Sequence, residues 1–368
     1  MKRNISVLLI MICYCCFSQE NNNNNNSYQL EGSYFYGNIY NHNSDISHLI
    51  NGHPTGAFLS FNKKTFGLKD WEKKYNFPDW GLSFIYKDLK NETLGENYGL
   101  YANYNFYLFK RNLQLSLGSG LALNTNPYDQ DSNYLNIAYG TSLLSSSFIK
   151  ANFIKNSIWK GLGFQAGLMF IHYSNGNTKA PNTSTNSFLI NAGLNYQLNY
   201  KNINEYDREQ DFTNYGEKIK FNFVFRTGWN QSDVIGSGTY PFYVFSAFID
   251  KKLNYYSTLQ FGADLFVSKF LEEFISYTAI AYPELNLSGD EDYKRVSLFV
   301  GHELSIDKNG ILFQIGYYVY YPYEFEKRIY LRAGFKRYFY KNKLFAVVSL
   351  KSHWAQAEAV EFGIGYRF

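Results

Sequence analysis

The chain is 368 residues long and carries 35 Lys and Arg against 31 Asp and Glu, a formal charge of +4. Lys2 and Arg3 supply two of those charges, so the surplus left over is too small to argue for a nucleic-acid partner. Tyr and Phe number 35 and 33, charged residues are only 18%, and mean hydropathy is −0.34; a chain so aromatic yet so poor in long apolar runs suits a sheet with one lipid-facing and one wet side.

Residues 1–19 begin Lys2-Arg3, continue as an apolar stretch from Ile5 to Phe17 and end on Ser18 and Gln19. This pattern predicts a secretory signal peptide. The apolar run is too short for a membrane helix, which needs roughly 20 such residues, and no later stretch approaches that length. Membrane residence therefore has to come from strands. Cys13, Cys15 and Cys16 all lie inside the leader, which leaves a mature chain without a disulfide framework or a cysteine metal site. The Leu/Ala/Gly context of a lipid-anchor cysteine is absent. Residues 20–27, with the run Asn21 to Asn26, read as a disordered spacer.

From residue 28 to 368 the pattern is that of an all-β, antiparallel transmembrane barrel of about 14 to 16 strands. Side chains along a strand alternate between faces. In 98–108 the even positions Tyr98, Leu100, Ala102, Tyr104, Phe106 and Leu108 suit lipid, and the odd ones Gly99, Tyr101, Asn103, Asn105 and Tyr107 suit a polar lumen. After Lys110-Arg111-Asn112 the phase flips to Leu113, Leu115 and Leu117 on one side and Gln114, Ser116 and Gly118 on the other, as in a hairpin. Comparable segments start near residues 28, 55, 80, 98, 113, 139, 158, 187, 218, 239, 255, 292, 311, 327, 343 and 356.

With sixteen strands, the short turns 110–112, 155–157, 307–310 and 340–343 fall at the periplasmic end. The long polar segments near 41–54, 89–97, 125–138, 176–186, 230–238 and 270–291 fall outside the cell, the asymmetry expected of such barrels. The connections 63–79 and 201–216 are long for periplasmic turns, and the second could divide the strands into two sets of eight. One closed sheet is the preferred expectation, because closure leaves no exposed edge.

The segment 162–175 carries the chemistry. Leu162, Phe164, Ala166, Leu168, Phe170, His172 and Ser174 share one face, so an imidazole and a hydroxyl extend a lipid-facing stripe at the external end of the seventh strand. Their Cα atoms would be about 6.6 Å apart. A serine hydroxyl becomes a nucleophile when a neighbouring base takes its proton and a third group orients that base. Spacing alone is equally satisfied by plain interface residues.

Other polar residues point less clearly. His48, and His53 in Asn51-Gly52-His53-Pro54, occupy an external loop where solvated histidines are common. His302 shares its face with Val296, Leu298, Val300, Leu304 and Ile306, which favours packing. The acidic run Gly289-Asp290-Glu291-Asp292 could hold a divalent ion, with a solvated loop the simpler reading. No zinc signature or phosphate loop occurs, so no metal or organic cofactor is expected.

The last strand sets Val360, Phe362, Ile364, Tyr366 and Phe368 against Ala359, Glu361, Gly363, Gly365 and Arg367. It resembles the C-terminal insertion signal of bacterial outer-membrane barrels, which implies the barrel assembly machinery as a partner.

His172-Tyr173-Ser174-Asn175, followed by Lys179, Pro181 and Asn182, resembles the active-site segment of the outer-membrane lipid A 3-O-deacylases, the acyloxyacyl hydrolase-like barrels. The resemblance covers residues 28–200 and leaves 217–368 as additional strands. It implies a serine esterase that removes an ester-linked acyl chain from lipid A in the outer leaflet, with lipopolysaccharide and outer-membrane lipids as its partners. Ser174 would be the nucleophile, His172 the general base, and Asn175 with Asn182 the support for the oxyanion. The family's acidic triad member falls at Asn186, an amide. An amide can hold the imidazole tautomer but cannot stabilise the imidazolium by charge, which leaves a weaker enzyme or an acid drawn from elsewhere, such as Asp45 or Glu92. The family's basic barrel needs about eight strands, half the number here. A non-catalytic, porin-like or structural barrel is the alternative, and a barrel whose surface loops bind partners is a third.

Overall fold

The computed structural model describes residues 27–201, 205–208, 216–354 and 356–368. The leader at 1–19 and all of the spacer but Ser27 lie outside the described residues. Ser27 itself is buried, and its carbonyl accepts from the Lys64 amide at 2.9 Å, one residue before the first expected strand.

Sixteen antiparallel strands form. The first eight are β1 (Tyr28–Tyr40), β2 (Thr55–Lys63), β3 (Asp79–Asp88), β4 (Glu96–Leu108), β5 (Leu113–Asn124), β6 (Leu143–Trp159), β7 (Leu162–Ser174) and β8 (Thr185–Gln197). The second eight are β9 (Lys220–Asn230), β10 (Tyr240–Lys252), β11 (Ser257–Ser268), β12 (Arg295–Ile306), β13 (Asn309–Tyr320), β14 (Ile329–Tyr338), β15 (Leu344–His353) and β16 (Gln356–Arg367). Among the described residues two α-helices accompany them, α1 (Asp70–Lys74) and α2 (Lys269–Ala281). The β6–β7 turn falls at Lys160 and Gly161 rather than at 155–157. Both residues have positive φ, 46° and 88°, the backbone that a tight two-residue hairpin turn demands.

The expectation of a single barrel is corrected by the pairing. β8 returns to β1, with Gln29 opposite Gln197 and Tyr40 opposite Asn186, and β16 returns to β9, with Phe362 opposite Thr227. The sheet thus closes twice, as two barrels of eight strands each. Two closures remove edges as completely as one. What selects eight is the size of the inward side chains, because an eight-stranded interior is just wide enough for side chains to fill.

Both interiors are filled. In the first barrel a polar layer centres on Lys150, whose ammonium donates to Glu31 at 2.8 Å while Gln114 donates to the same carboxylate at 2.7 Å. Above it lies an apolar layer that includes Phe35, Phe58, Ile85, Tyr101, Phe148, Ile171 and Tyr173. The second barrel encloses a network of charges. Arg332 donates to Asp264 and to Glu361, each at 2.7 Å; Arg295 donates to Glu358 at 2.6 Å; Lys336 donates to Glu303 at 3.0 Å. Buried charges are tolerated only when so paired. Outward positions carry the complementary set, with Leu100, Leu168, Ile190, Phe221 and Ile364 all exposed.

The barrels touch at both rims. On the rim of short turns, Tyr75 donates to the Ser305 carbonyl at 2.7 Å, Tyr256 to that of Lys74 at 2.8 Å, and the Asn309 amide to the Tyr104 hydroxyl at 3.0 Å. The long connection 63–79 is therefore a docking element, with α1 inside it. On the rim of long loops the contact is made by the residues after β9, described below.

Candidate active site

The site lies at the long-loop end of β7 and β8. Along β7 the even side chains point outward, Phe164, Ala166 and Leu168 being exposed and the odd Gln165, Met169, Ile171 and Tyr173 buried. His172 and Ser174 continue the outward row. His172 stands opposite Asn186 in the ladder, and its Nδ1 lies 2.7 Å from the Asn186 Oδ1. The amide oxygen can only accept, so Nδ1 carries the proton and Nε2 keeps its lone pair.

Ser174 is 1% exposed although it faces out, because the loop 175–184 folds over it. Its hydroxyl donates to Oδ1 of Asn182 at 3.1 Å and accepts from the Gly176 amide at 2.9 Å. The same Asn182 oxygen accepts from the Asn175 amide at 2.9 Å. Among the described residues no hydrogen bond joins His172 to Ser174, the hydroxyl being engaged with Asn182. Catalytic hydrogen bonds are often unmade until substrate arrives.

The two asparagines expected to act together sit differently. Asn175 spends its side chain on the loop, Nδ2 donating to the Lys179 carbonyl at 2.6 Å and Oδ1 accepting from the Asn177 amide at 2.9 Å. Asn182 keeps its oxygen on Ser174, and its NH2 forms no hydrogen bond among the described residues. The Asn182 NH2 is thus an open donor beside Ser174, whereas both polar atoms of the Asn175 side chain are engaged within the loop.

Neighbouring loops fix the entry to β8. The amides of Thr183 and Ser184 donate to the carbonyls of Ile137 and Ala138, each at 3.1 Å, and the His42 ring lies 3.0 Å from the Thr183 carbonyl. His42, in the loop after β1 and brought close by the β1–β8 pairing, carried no signal of its own. His53 is 2.6 Å from the Asn38 side chain, and His48 bonds the Asp45 carbonyl at 2.8 Å. Among the described residues, neither Asp45 nor Glu92 forms a hydrogen bond or ion pair with His172. His302 lies on the other barrel, 2.6 Å from Ser257, and the acidic 288–292 loop closes on itself, Glu291 accepting from the Ser288 amide at 2.7 Å.

Below the imidazole, toward the middle of the barrel wall, an open groove of about 490 Å³ is lined by Tyr36, Ile149, Leu168, Phe170, Phe188 and Ile190 with their neighbours. Phe170 and Phe188 touch at 5.0 Å, and Tyr40 meets Phe188 edge-on at 5.8 Å. Ser174, His172 and an apolar trough thus lie along one stripe of the outer surface.

Two family models match the chain: lipid A 3-O-deacylase (PagL) over residues 55–195, and the acyloxyacyl hydrolase C-terminal domain over residues 219–368. Covering most of both barrels between them, they show that the chain belongs to the lipid A 3-O-deacylase family. That makes it a hydrolase of the lipid A deacylase class, and the family together with the barrel fits a protein of the outer membrane. No curated protein matches at a significant level. Solved porins of Rhodopseudomonas blastica are similar in outline. A triple mutant is 10% identical over 93% of this chain and 99% of its own, with a TM-score of 0.19. A second variant is 11% identical over 93% and 100%, with a TM-score of 0.20. Likeness at that level carries no argument here.

Proposed function

We propose that the chain is a serine esterase that removes an ester-linked acyl chain from lipid A in the outer leaflet of the outer membrane. The observation that carries this reading is the outward row of β7, in which His172, tautomerically set by Asn186, stands one step from Ser174 and directly above an apolar groove. An acyl chain lying in that groove brings its ester carbonyl to the loop rim, where the headgroup sugar would sit.

In the reaction, Ser174 Oγ attacks the ester carbonyl carbon as its proton passes to Nε2 of His172. The carbonyl oxygen becomes an oxyanion and accepts from Nδ2 of Asn182. The C–O bond to the sugar then breaks, and the imidazolium returns its proton to the departing sugar oxygen. Water, deprotonated by Nε2, attacks the acyl-serine, and the fatty acid leaves as Ser174 recovers its proton. Export through residues 1–19 and insertion through the C-terminal strand belong to the same reading.

Asn186 in the acidic position favours a second reading, a barrel that keeps the motif without turnover. Mass spectrometry of lipid A from cells carrying the intact chain, Ser174→Ala or His172→Ala separates the two. A mass loss of one acyl chain with the intact protein alone is the expected result, and identical spectra in all three would leave the non-catalytic barrel. The filled interiors weigh against a conducting porin in either case.

A further inference from the structure

The loop over Ser174 is held by the other barrel as well as its own. Gln231 follows β9 directly, is 3% exposed, and grips the loop at three points. Its amide donates to the Asn177 carbonyl at 3.0 Å, its carbonyl accepts from Asn177 Nδ2 at 3.0 Å, and its side-chain Oε1 accepts from the Ala180 amide at 3.1 Å. Nearby, the Thr239 hydroxyl donates to the Thr178 carbonyl at 3.0 Å. Gly176 packs so tightly on β16 that a Cβ there would stand 2.3 Å from Cγ2 of Val360, and its φ of 64° disfavours a side chain in any case.

These contacts fall between the two residues whose spacing matters. Asn175 and Asn182 bracket the gripped stretch 176–181, and Asn182 Oδ1 is the atom on which Ser174 Oγ and the Asn175 amide converge. Gln231 is itself tied down, its Nε2 donating to the Val234 carbonyl and to Ser237 Oγ, each at 3.2 Å. A rigid anchor on one barrel therefore sets the path of the catalytic loop on the other.

We propose that Gln231 is a positioning residue of the deacylation site and that the second barrel is a working part of that site rather than an appendage. The proposal rests on the esterase reading above. A nucleophile displaced by about 1 Å loses on the order of 100-fold in rate, so loosening the loop acts on turnover more than on substrate capture.

The test uses the full chain in detergent micelles, intact and as Gln231→Ala and Gln231→Glu, with two readouts. Deuterium exchange of the 175–180 segment needs no substrate: Gln231→Ala should speed it while β7 and β8 amides, which report the folded barrel, stay unchanged. On purified lipid A, Gln231→Ala should lower kcat by about 10- to 100-fold with KM changed less than about twofold, and Gln231→Glu, which keeps an acceptor for the Ala180 amide, should recover most of the loss. Unchanged exchange in Gln231→Ala overturns the side-chain anchor at Ala180, the one of the three contacts that the substitution removes. Faster exchange with unchanged kcat overturns its role in positioning. An intact chain without turnover overturns the esterase reading itself, and is told apart because the exchange comparison stands without it.

Discussion

His172 gives its Nδ1 proton to the side-chain oxygen of Asn186, 2.7 Å away across the β7–β8 ladder. The bond does half the work of a triad acid. It fixes ring and tautomer and leaves the Nε2 lone pair open, but in the proposed reaction it would offer no negative charge to the imidazolium formed on deprotonating Ser174. Asn186→Asp keeps the side-chain size and adds that charge. Its kcat on lipid A in micelles is expected to rise by at least about tenfold, since loss of the acid in a triad costs up to roughly 10⁴-fold and only the charge part of that is missing here. An unchanged or lower kcat would mean that the amide is not standing in for an acid.

The groove under the site makes a chain-length prediction. Ala151 lines it and faces outward between Ile149 and Phe153. Ala151→Phe is expected to fill part of the trough and lower kcat/KM for a twelve-carbon acyl ester by about tenfold, the worth of one or two displaced methylenes, with little effect on an acetyl ester. Equal losses on both esters would place the acyl chain elsewhere.

Within the second barrel, Arg332 is fully buried between Asp264 and Glu361. Arg332→Met leaves Asp264 and Glu361 with the longer ion pairs to Arg226, at 4.0 and 3.8 Å, and should cost about 3 kcal/mol, read as a lower temperature for loss of the compact band on unheated gels. Removing the exposed partner Glu272 of Lys269 should leave that temperature where it was, because solvated pairs contribute little. If both variants melt alike, the interior network is not what holds the second barrel.

The strands were legible because alternation is local: Tyr98 to Leu108 shows its two faces in sequence and keeps them in the fold. Closure was not. Whether β8 meets β1 or runs on to β9 leaves every period-2 pattern unchanged; the clues were the long connection 201–216 and the bulk of inward residues such as Phe58, Tyr101 and Arg332. The outward placement of His172 and Ser174 was readable for the same reason as the strands. The burial of Ser174 was not, since it comes from a loop whose path is set by Ile137, Ala138 and Gln231. Gln231 had no sequence signal at all, because its contact with Ala180 joins irregular segments 51 residues apart on different barrels.

On the proposed reading Ser174 is the nucleophile and His172 its base, on the outer wall of the first barrel. A long-chain alkyl phosphonate ester, which traps activated serines, applied to the intact chain and followed by peptide mass spectrometry tests it directly. The expected result is one adduct, on Ser174, lost in His172→Ala and stronger in Asn186→Asp. An adduct on another serine, such as Ser257 beside His302, or equal labelling of Ser174 with and without the imidazole, would contradict it.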